Sequence, residues 1–474
     1  MLFNSIDFFA FFLVVTICYF AFPHRLRWLL LLGASCYFYM AFIPVYILIL
    51  FFTIIIDYYV GIFLEKATKN RKSILICSLI ANLGILGFFK YYNFIAANIA
   101  SAFHFANVDI HPYYLSIILP IGLSFHTFQA MSYTIEIYRG NQKPERNFGI
   151  YALYVMFYPQ LVAGPIERPQ NLLHQFYEKH HIQFERIKEG LKKIVWGLFK
   201  KMVIADRVAY FVNLIYGDLH HYTGITLLLA VVLFPFQIYC DFSGYSDIAL
   251  GSAQVMGFDL MRNFNLPFAS KSVSDFWRRW HISLTTWFYD YLFNPIVIAL
   301  RDLGKLAIII GLFITFFLSG LWHGASWHYI AYGCINGCAL IYEVYTLKKR
   351  KKLFAKLPPW LNNFTSHTLT IIFLFFSWVF FRAENMNDVF YLFSHIFRNI
   401  SLSIAQTFEI VASRKFDFVV AIIFTLLLLY IEQWRSKKRP PSTIYKWLFY
   451  QMLVLAILFF GEFSLAQNFI YFQF

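Results

Sequence analysis

The sequence predicts an all-α fold, a polytopic bundle of transmembrane helices. Three features carry that reading. Of the 474 residues, 59% are hydrophobic and 14% charged, whereas a soluble domain carries about 25% charged residues. Aromatics reach 21%, with 58 Phe and 32 Tyr. Apolar runs close to the ~20 residues a spanning helix needs recur from one end of the chain to the other. So much apolar surface excludes intrinsic disorder. Six scattered Cys in a chain this long form no disulfide framework.

Taken in order, the spans fall at 6–22, 28–42, 45–64, 73–94, 114–138, 224–239, 306–321, 325–345, 369–381, 416–431 and 446–460. The first has no basic residues before it, contains Asp7, and is followed by no small-residue cleavage site. It is expected to be retained rather than removed as a signal peptide. Two further stretches fit less simply. Residues 150–162 are short and end in Gly164-Pro165, which suits a re-entrant or broken helix. Residues 187–214 carry Lys192, Lys193, Lys200, Lys201, Asp206 and Arg207, and suit a helix lying partly at the interface. The total is about 11–13 membrane-embedded helices. No hydrophilic run is long enough for a separate soluble domain, and neither tandem repeats nor low-complexity tracts occur, so 1–474 reads as one membrane domain.

Lys and Arg number 40 against 25 Asp and Glu, a net charge of +15. Much of the excess lies in short loops at 66–72, 139–146, 348–352 and 435–439. Basic loops between apolar spans are cytoplasmic anchors, so nucleic acid is not the expected partner; anionic lipid head groups are a minor one. With these loops inside, the loop 96–113, nearly free of Lys and Arg, lies outside, as do the N-terminus and residues 467–474.

Residues 241–328 interrupt the pattern. Between flanking spans stand Asp241, Asp247, Asp275, Arg278, Arg279, His281 and Asp290. Ionisable groups at membrane depth face a protein interior or a water-filled cavity. In SDFWRRWHISLTTWFYDYL, Trp277, Trp280, Trp287 and Tyr291 alternate with the charges. One reading is a helix at the interface or dipping into a cavity, aromatics against lipid and charges inward; the other is a solvated juxtamembrane helix anchored by Trp. In FLSGLWHGASWHYIAYG, His323 is flanked by Gly320 and Gly324, which admit close approach of another backbone or a slender substrate. It is either a structural hydrogen-bonding residue or a catalyst. His323 and His328, five residues apart, would diverge on one helix, which disfavours a two-His zinc site. Cys334 and Cys338 read as helix packing, and the pairs His180-His181 and His220-His221 as solvated loop residues.

The strings MLFNSIDFFAFF, LPIGLSFHTFQAMSYTIEIYRG, FYPQLVAGPIERP, DFSGYSDIALG, NFNLPFASKSVSDFWRRWHISLTTW, SGLWHGASWHYIAYG and FSWVFFRAEN run nearly end to end. Together they resemble the membrane-bound O-acyltransferases, within them the bacterial alginate O-acetyltransferase branch, with teichoic acid D-alanyl transferases as close relatives. The chain departs from the family in three places. His126 stands where Tyr is usual; YLFNPIVIALRDLG replaces a YLYIPLGG continuation; and Asn336-Gly337 stands where His-Gly is frequent.

The resemblance implies helices around a central funnel or tunnel, a catalytic core at about 114–345, and activity associated with His323 and His281. The implied reaction carries an acetyl group from a cytoplasmic thioester, acetyl-CoA or another acyl thioester, to an extracytoplasmic hydroxyl, with no permanently bound cofactor and no metal. A neutral imidazole can remove the hydroxyl proton near pH 7, so His323 is assigned as general base. His281 orients the acceptor or stabilises the oxyanion. Arg278 or Arg279 binds a donor phosphate, or instead bridges to Asp275 or Asp247. Trp322, Asp247 and Asn336 complete the expected substrate contacts. The acceptor is alginate or a related cell-surface polysaccharide, reached directly or through a periplasmic partner transferase at the bacterial inner membrane. D-alanyl transfer to teichoic acid, a transporter or channel, and a non-catalytic scaffold are the competing functions.

Overall fold

A computed structural model describes residues 1–116, 119–437, 443–463 and 469–470. The basic stretch 435–439 and the C-terminal 467–474, both given a side of the membrane above, lie in large part outside the described residues, as do two positions of the run 114–138. The described residues are overwhelmingly helical. Among them, six helices are long and apolar enough to cross a bilayer: Pro44–Lys66, Arg71–Phe105, Gly224–Met256, Lys305–His323, Pro359–Arg382 and Lys415–Trp434. Shorter apolar helices cover Ile6–Ala21, Ile400–Ser413 and Trp447–Phe460. The protein is a multi-pass membrane protein.

The helices form two compact units. The first comprises Met1–Ile194 and Ser246–Met261. It opens with Ile6–Ala21, whose free first-turn amide at Phe8 is capped by the Ser5 hydroxyl at 3.2 Å. Helices Ile47–Lys66 and Arg71–Leu86 pack on Leu123–Arg139. That last helix begins only after Gly122, held at φ +76°, and is buried over nearly its whole length. The run expected at 114–138 is therefore a core helix of this unit and starts later. At its contact with the first pair, Ser78 Oγ donates to Asp57 Oδ1 at 2.5 Å and Asn82 Nδ2 donates to Asp57 Oδ2 at 2.9 Å. The short helix Phe148–Met156, buried from Ile150 on, is followed by buried turns through residue 164; of the re-entrant or broken helix expected there, the structure shows the break.

The second unit comprises Val195–Tyr245 and Arg262–Phe474. Its centre is the pair Lys305–His323 and Trp327–Phe354, joined by residues 324–326. Their approach is set by glycine. A Cβ on Gly320 would strike the Tyr329 carbonyl, one on Gly333 the Phe316 carbonyl, and the two glycines face each other 3.0 Å from the built Cβ to Cα. The helix Pro359–Arg382 packs against the outer side of Trp327–Phe354. Elsewhere in the unit, Lys201 Nζ joins Asp206 at 2.8 Å and Asp241 at 2.6 Å, all three buried. Lys200 Nζ donates to Ser243 at 2.8 Å. A buried cation flanked by two carboxylates is a paired arrangement that an apolar interior tolerates.

The expected span 224–239 in fact runs on to Met256 as one helix. Asp241 and the motif that follows it are its continuation, not the start of the polar stretch between spans. Polar residues with buried partners do not end a helix; they only lower its mean hydropathy.

If the glycine contact sets the helix pair, Gly333→Val should lower stability by about 1–3 kcal/mol through overpacking. Gly33→Ala, where no atom lies within 4 Å, should leave the melting temperature in detergent unchanged or slightly raised.

Candidate active site

The segment carrying the two arginines is two short helices, not one. Val273–Trp277 ends at Arg278, and Ile282–Phe288 begins after His281. The break is made by His281 itself, at φ 43° and ψ 54° in the left-handed region. For a residue with a Cβ this conformation is unfavourable and persists only where its surroundings hold it. Here Asn265 N–H donates to the Arg279 carbonyl at 2.9 Å and Ile282 N–H to the Asn263 carbonyl at 2.9 Å. The Asn263 side-chain oxygen accepts from Ser283 Oγ at 2.6 Å. The loop 262–265 thus clamps the turn on both sides.

This break reverses the expected placement of aromatics and charges. Trp277, Trp280 and Trp287 are buried, while Arg278 is exposed and Arg279 half-buried. Trp280 lies 5.1 Å from Phe264, 5.4 Å from Phe276 and 5.3 Å from Trp378, ring centre to ring centre. Stacked aromatics supply a dense apolar filling, so the tryptophans line protein rather than lipid. Of the two arginines, Arg279 bridges to Asp275 at 2.9 Å and adds a bond to the Asn265 carbonyl at 3.3 Å. Arg278 makes no ion pair among the described residues.

His281 is fully buried, its ring 4.7 Å from Phe242 and 6.3 Å from Trp322. Trp322 is 5.0 Å from His323, and His323 is 5.1 Å from Phe381 and 6.0 Å from Tyr332. The second unit therefore brings both expected histidines into one aromatic cluster, with the indole of Trp322 between them. His323 is 3% exposed and closes its helix, because Gly324 turns to extended backbone at φ −165°. A Cβ on Gly324 would meet the Tyr329 ring. Gly320 and Gly324 thus make room for protein. His328 sits on the next helix rather than the same one, and its Nδ1 is 2.9 Å from the Phe380 carbonyl. Among the described residues no group of three His, Cys, Asp or Glu could hold a metal ion.

Asn336 supports the cluster from below: its Oδ1 accepts from Trp277 Nε1 at 3.3 Å and its Nδ2 donates to the Tyr332 carbonyl at 2.9 Å. Asp247 belongs to the first unit, half-buried on the helix Gly224–Met256. His180, read above as solvated, is half-buried, with its ring 4.7 Å from Phe258 and Nε2 3.0 Å from the Gln175 carbonyl; His181, His220 and His221 are exposed. Cys334 and Cys338 are free thiols on one helix. Asn263, Phe242 and Phe381 were not anticipated. A buried Asn between two aromatic or apolar runs, as in RNFNLP, is the only signal that marks the first of them.

The fold is that of a polytopic helical membrane protein in which His281 and His323 are buried in one aromatic wall. The sequence profile of the membrane-bound O-acyltransferase family matches residues 16–393, and the chain belongs to that family. A probable alginate O-acetylase of Pseudomonas syringae pv. tomato is 37% identical over 393 residues, 82% of this chain and 73% of the relative. A peptidoglycan O-acetyltransferase of Helicobacter pylori is 33% identical over 394 residues, 76% and 71% of the two chains. A teichoic acid D-alanyltransferase of Streptococcus thermophilus is more distant, 30% identical over 251 residues, 49% of this chain and 59% of its own.

His281 lies between the spans, and burial pulls its imidazole down to about 3 from an ordinary value near 6.5. The unfolded chain then binds a proton that the folded chain refuses between those limits. This group's contribution is complete above about pH 6.5 and lost as pH falls toward 3. Melting in detergent across that window should show the loss, and His281→Gln should flatten the slope relative to the wild type.

Proposed function

We propose that the protein transfers an acetyl group from a cytoplasmic acyl thioester to a hydroxyl of an extracytoplasmic polysaccharide, alginate-like or another cell-surface glycan. The observation that carries the reading is the shared aromatic cluster of His323 and His281 around Trp322, in a chain most of whose length resembles O-acetylases. D-alanine is the less supported group, since the D-alanyltransferase likeness spans less of the chain.

In this reading the acceptor oxygen attacks the thioester carbonyl carbon while His323 takes the hydroxyl proton. The C–S bond then breaks, and the same proton goes to the departing thiolate, so the reaction neither consumes nor releases protons overall. A positioned base contributes typically 10²–10⁴-fold. Holding donor and acceptor in register contributes ~7–11 kcal/mol more. His281 assists by orienting the acceptor or facing the developing oxyanion. Its unusual backbone, clamped by Asn263 and Asn265, suits a side chain that must keep one orientation. Arg278, exposed and free of a carboxylate, is the arginine assigned to a donor phosphate, while Arg279 is structural. Trp322 and Asn336 shape the wall. The protein is placed in the bacterial inner membrane with both termini outside, and a periplasmic transferase is the partner that would relay acetyl to polymer.

The test is His323→Ala in cells that carry the acceptor polymer, with membrane insertion verified by detergent extraction and size-exclusion chromatography. Polymer-bound acetyl should fall by at least about 10²-fold while insertion is unchanged. Wild-type acetylation in that variant would remove His323 as the base. Incorporation of labelled D-alanine in place of acetate would replace the acyl group.

A further inference from the structure

The helix Trp327–Phe354 outlasts its apolar stretch. Trp327 and Tyr345 are exposed, at 56% and 73%, and stand 18 positions apart. At 1.5 Å per residue that is about 27 Å, close to the ~30 Å of a hydrocarbon core. Exposed aromatics at this spacing are the pattern of interfacial anchors on either side of a hydrocarbon core. Lys348, Lys349, Lys351 and Lys352 follow within about two turns, all exposed, and Lys356 is exposed in the turn to the next helix. Leu353, Trp360 and Phe364, at 63%, 71% and 63% exposure, stand among them. The described residues give these five lysines no carboxylate partner.

Arg350 behaves differently and turns back on its own helix, donating to the Glu343 carbonyl at 2.9 Å and to Thr346 Oγ1 at 3.0 Å. Glu343 in turn accepts from the backbone N–H of Val273 at 2.8 Å and of Ser274 at 3.0 Å. Those amides open the short helix that leads into the turn of Arg278 and His281. Glu343 thus joins the two: its carbonyl accepts from Arg350 on the lysine-rich helix end, and its carboxylate accepts from the amides that lead to the histidine turn.

We propose that this helix end is a docking surface for anionic lipid headgroups, and that Glu343 passes headgroup binding on to the segment carrying His281. The position of the lysines favours a headgroup phosphate: Lys348 follows Tyr345 by about one turn, and clusters of lysines just beyond a membrane helix attract anionic lipid. The interleaved leucine and aromatics suit the acyl–headgroup boundary, which a soluble phosphate compound would not use. The effect on activity rests on the acetyl-transfer reading; the binding itself does not.

The full-length protein is reconstituted in nanodiscs of phosphatidylcholine with and without phosphatidylglycerol, and retained phosphatidylglycerol is counted by native mass spectrometry. The variant K348Q/K349Q/K351Q/K352Q should retain about tenfold less than wild type, and high salt should remove the difference. Phosphatidylglycerol should raise acetyl transfer severalfold in wild type but not in the lysine variant. Glu343→Ala should keep the lipid yet lose the stimulation. Equal lipid retention in wild type and the lysine variant overturns the docking surface. So does a lysine-dependent response to coenzyme A in the absence of phosphatidylglycerol, which would assign the phosphate to the donor instead. Lipid retained without any acetyl transfer in wild type would leave the surface standing and reject the function.

Discussion

A polar side chain within an apolar slab costs several kcal/mol unless its partners are built in beside it, and the arrangement of this protein follows from that constraint. Asp57 is met by a serine and an asparagine on the adjacent helix. Lys201 is met by two carboxylates. Glu167, also buried, accepts from Asn171 Nδ2 at 2.6 Å and from the Met261 amide. Each such group fixes the rotation of at least two segments, because a helix turned by one residue would strand its partner. Polar groups that look like interruptions in a hydropathy profile therefore set the register of the packing.

Around the two histidines the same constraint is met with aromatic rings instead. Trp280, Trp277, Trp322, Phe381 and Phe242 fill the space that water would otherwise occupy. Large flat side chains leave few rotamers to lose and pack densely. They demand close backbone approach elsewhere, which Gly320, Gly324 and Gly333 provide. Rings and glycines are two halves of one device: the rings exclude water, and the glycines let the helices come close enough for the rings to touch.

Much of this was legible in the sequence. Composition and run length gave the helical membrane class, and the strings around His281 and His323 marked both residues that the fold then brought together. What misled was the orientation of Trp277, Trp280 and Trp287. Tryptophan is favoured both at a lipid interface and in an aromatic core, and a one-dimensional pattern cannot separate the two. The break at His281 was invisible for a related reason: neither glycine nor proline stands there, and the turn is held by Asn263 and Asn265, some 16–18 positions earlier in the chain. The continuation of Gly224–Tyr239 to Met256 was hidden because its polar residues are satisfied by partners on other segments.

The fate of the neighbouring arginines shows why that break matters. Arg278 and Arg279 diverge by about 100° on a helix. Arg279, four residues after Asp275, bridges to it and also donates to the Asn265 carbonyl, and so helps to hold the turn. Arg278 is left at the surface, three residues from a fully buried imidazole. The left-handed backbone of a single histidine thus follows a guanidinium tied to Asp275, leaves Arg278 at the surface and turns its own side chain inward. A residue that preferred a helical conformation at position 281 would join the two short helices and lose the turn that buries the ring.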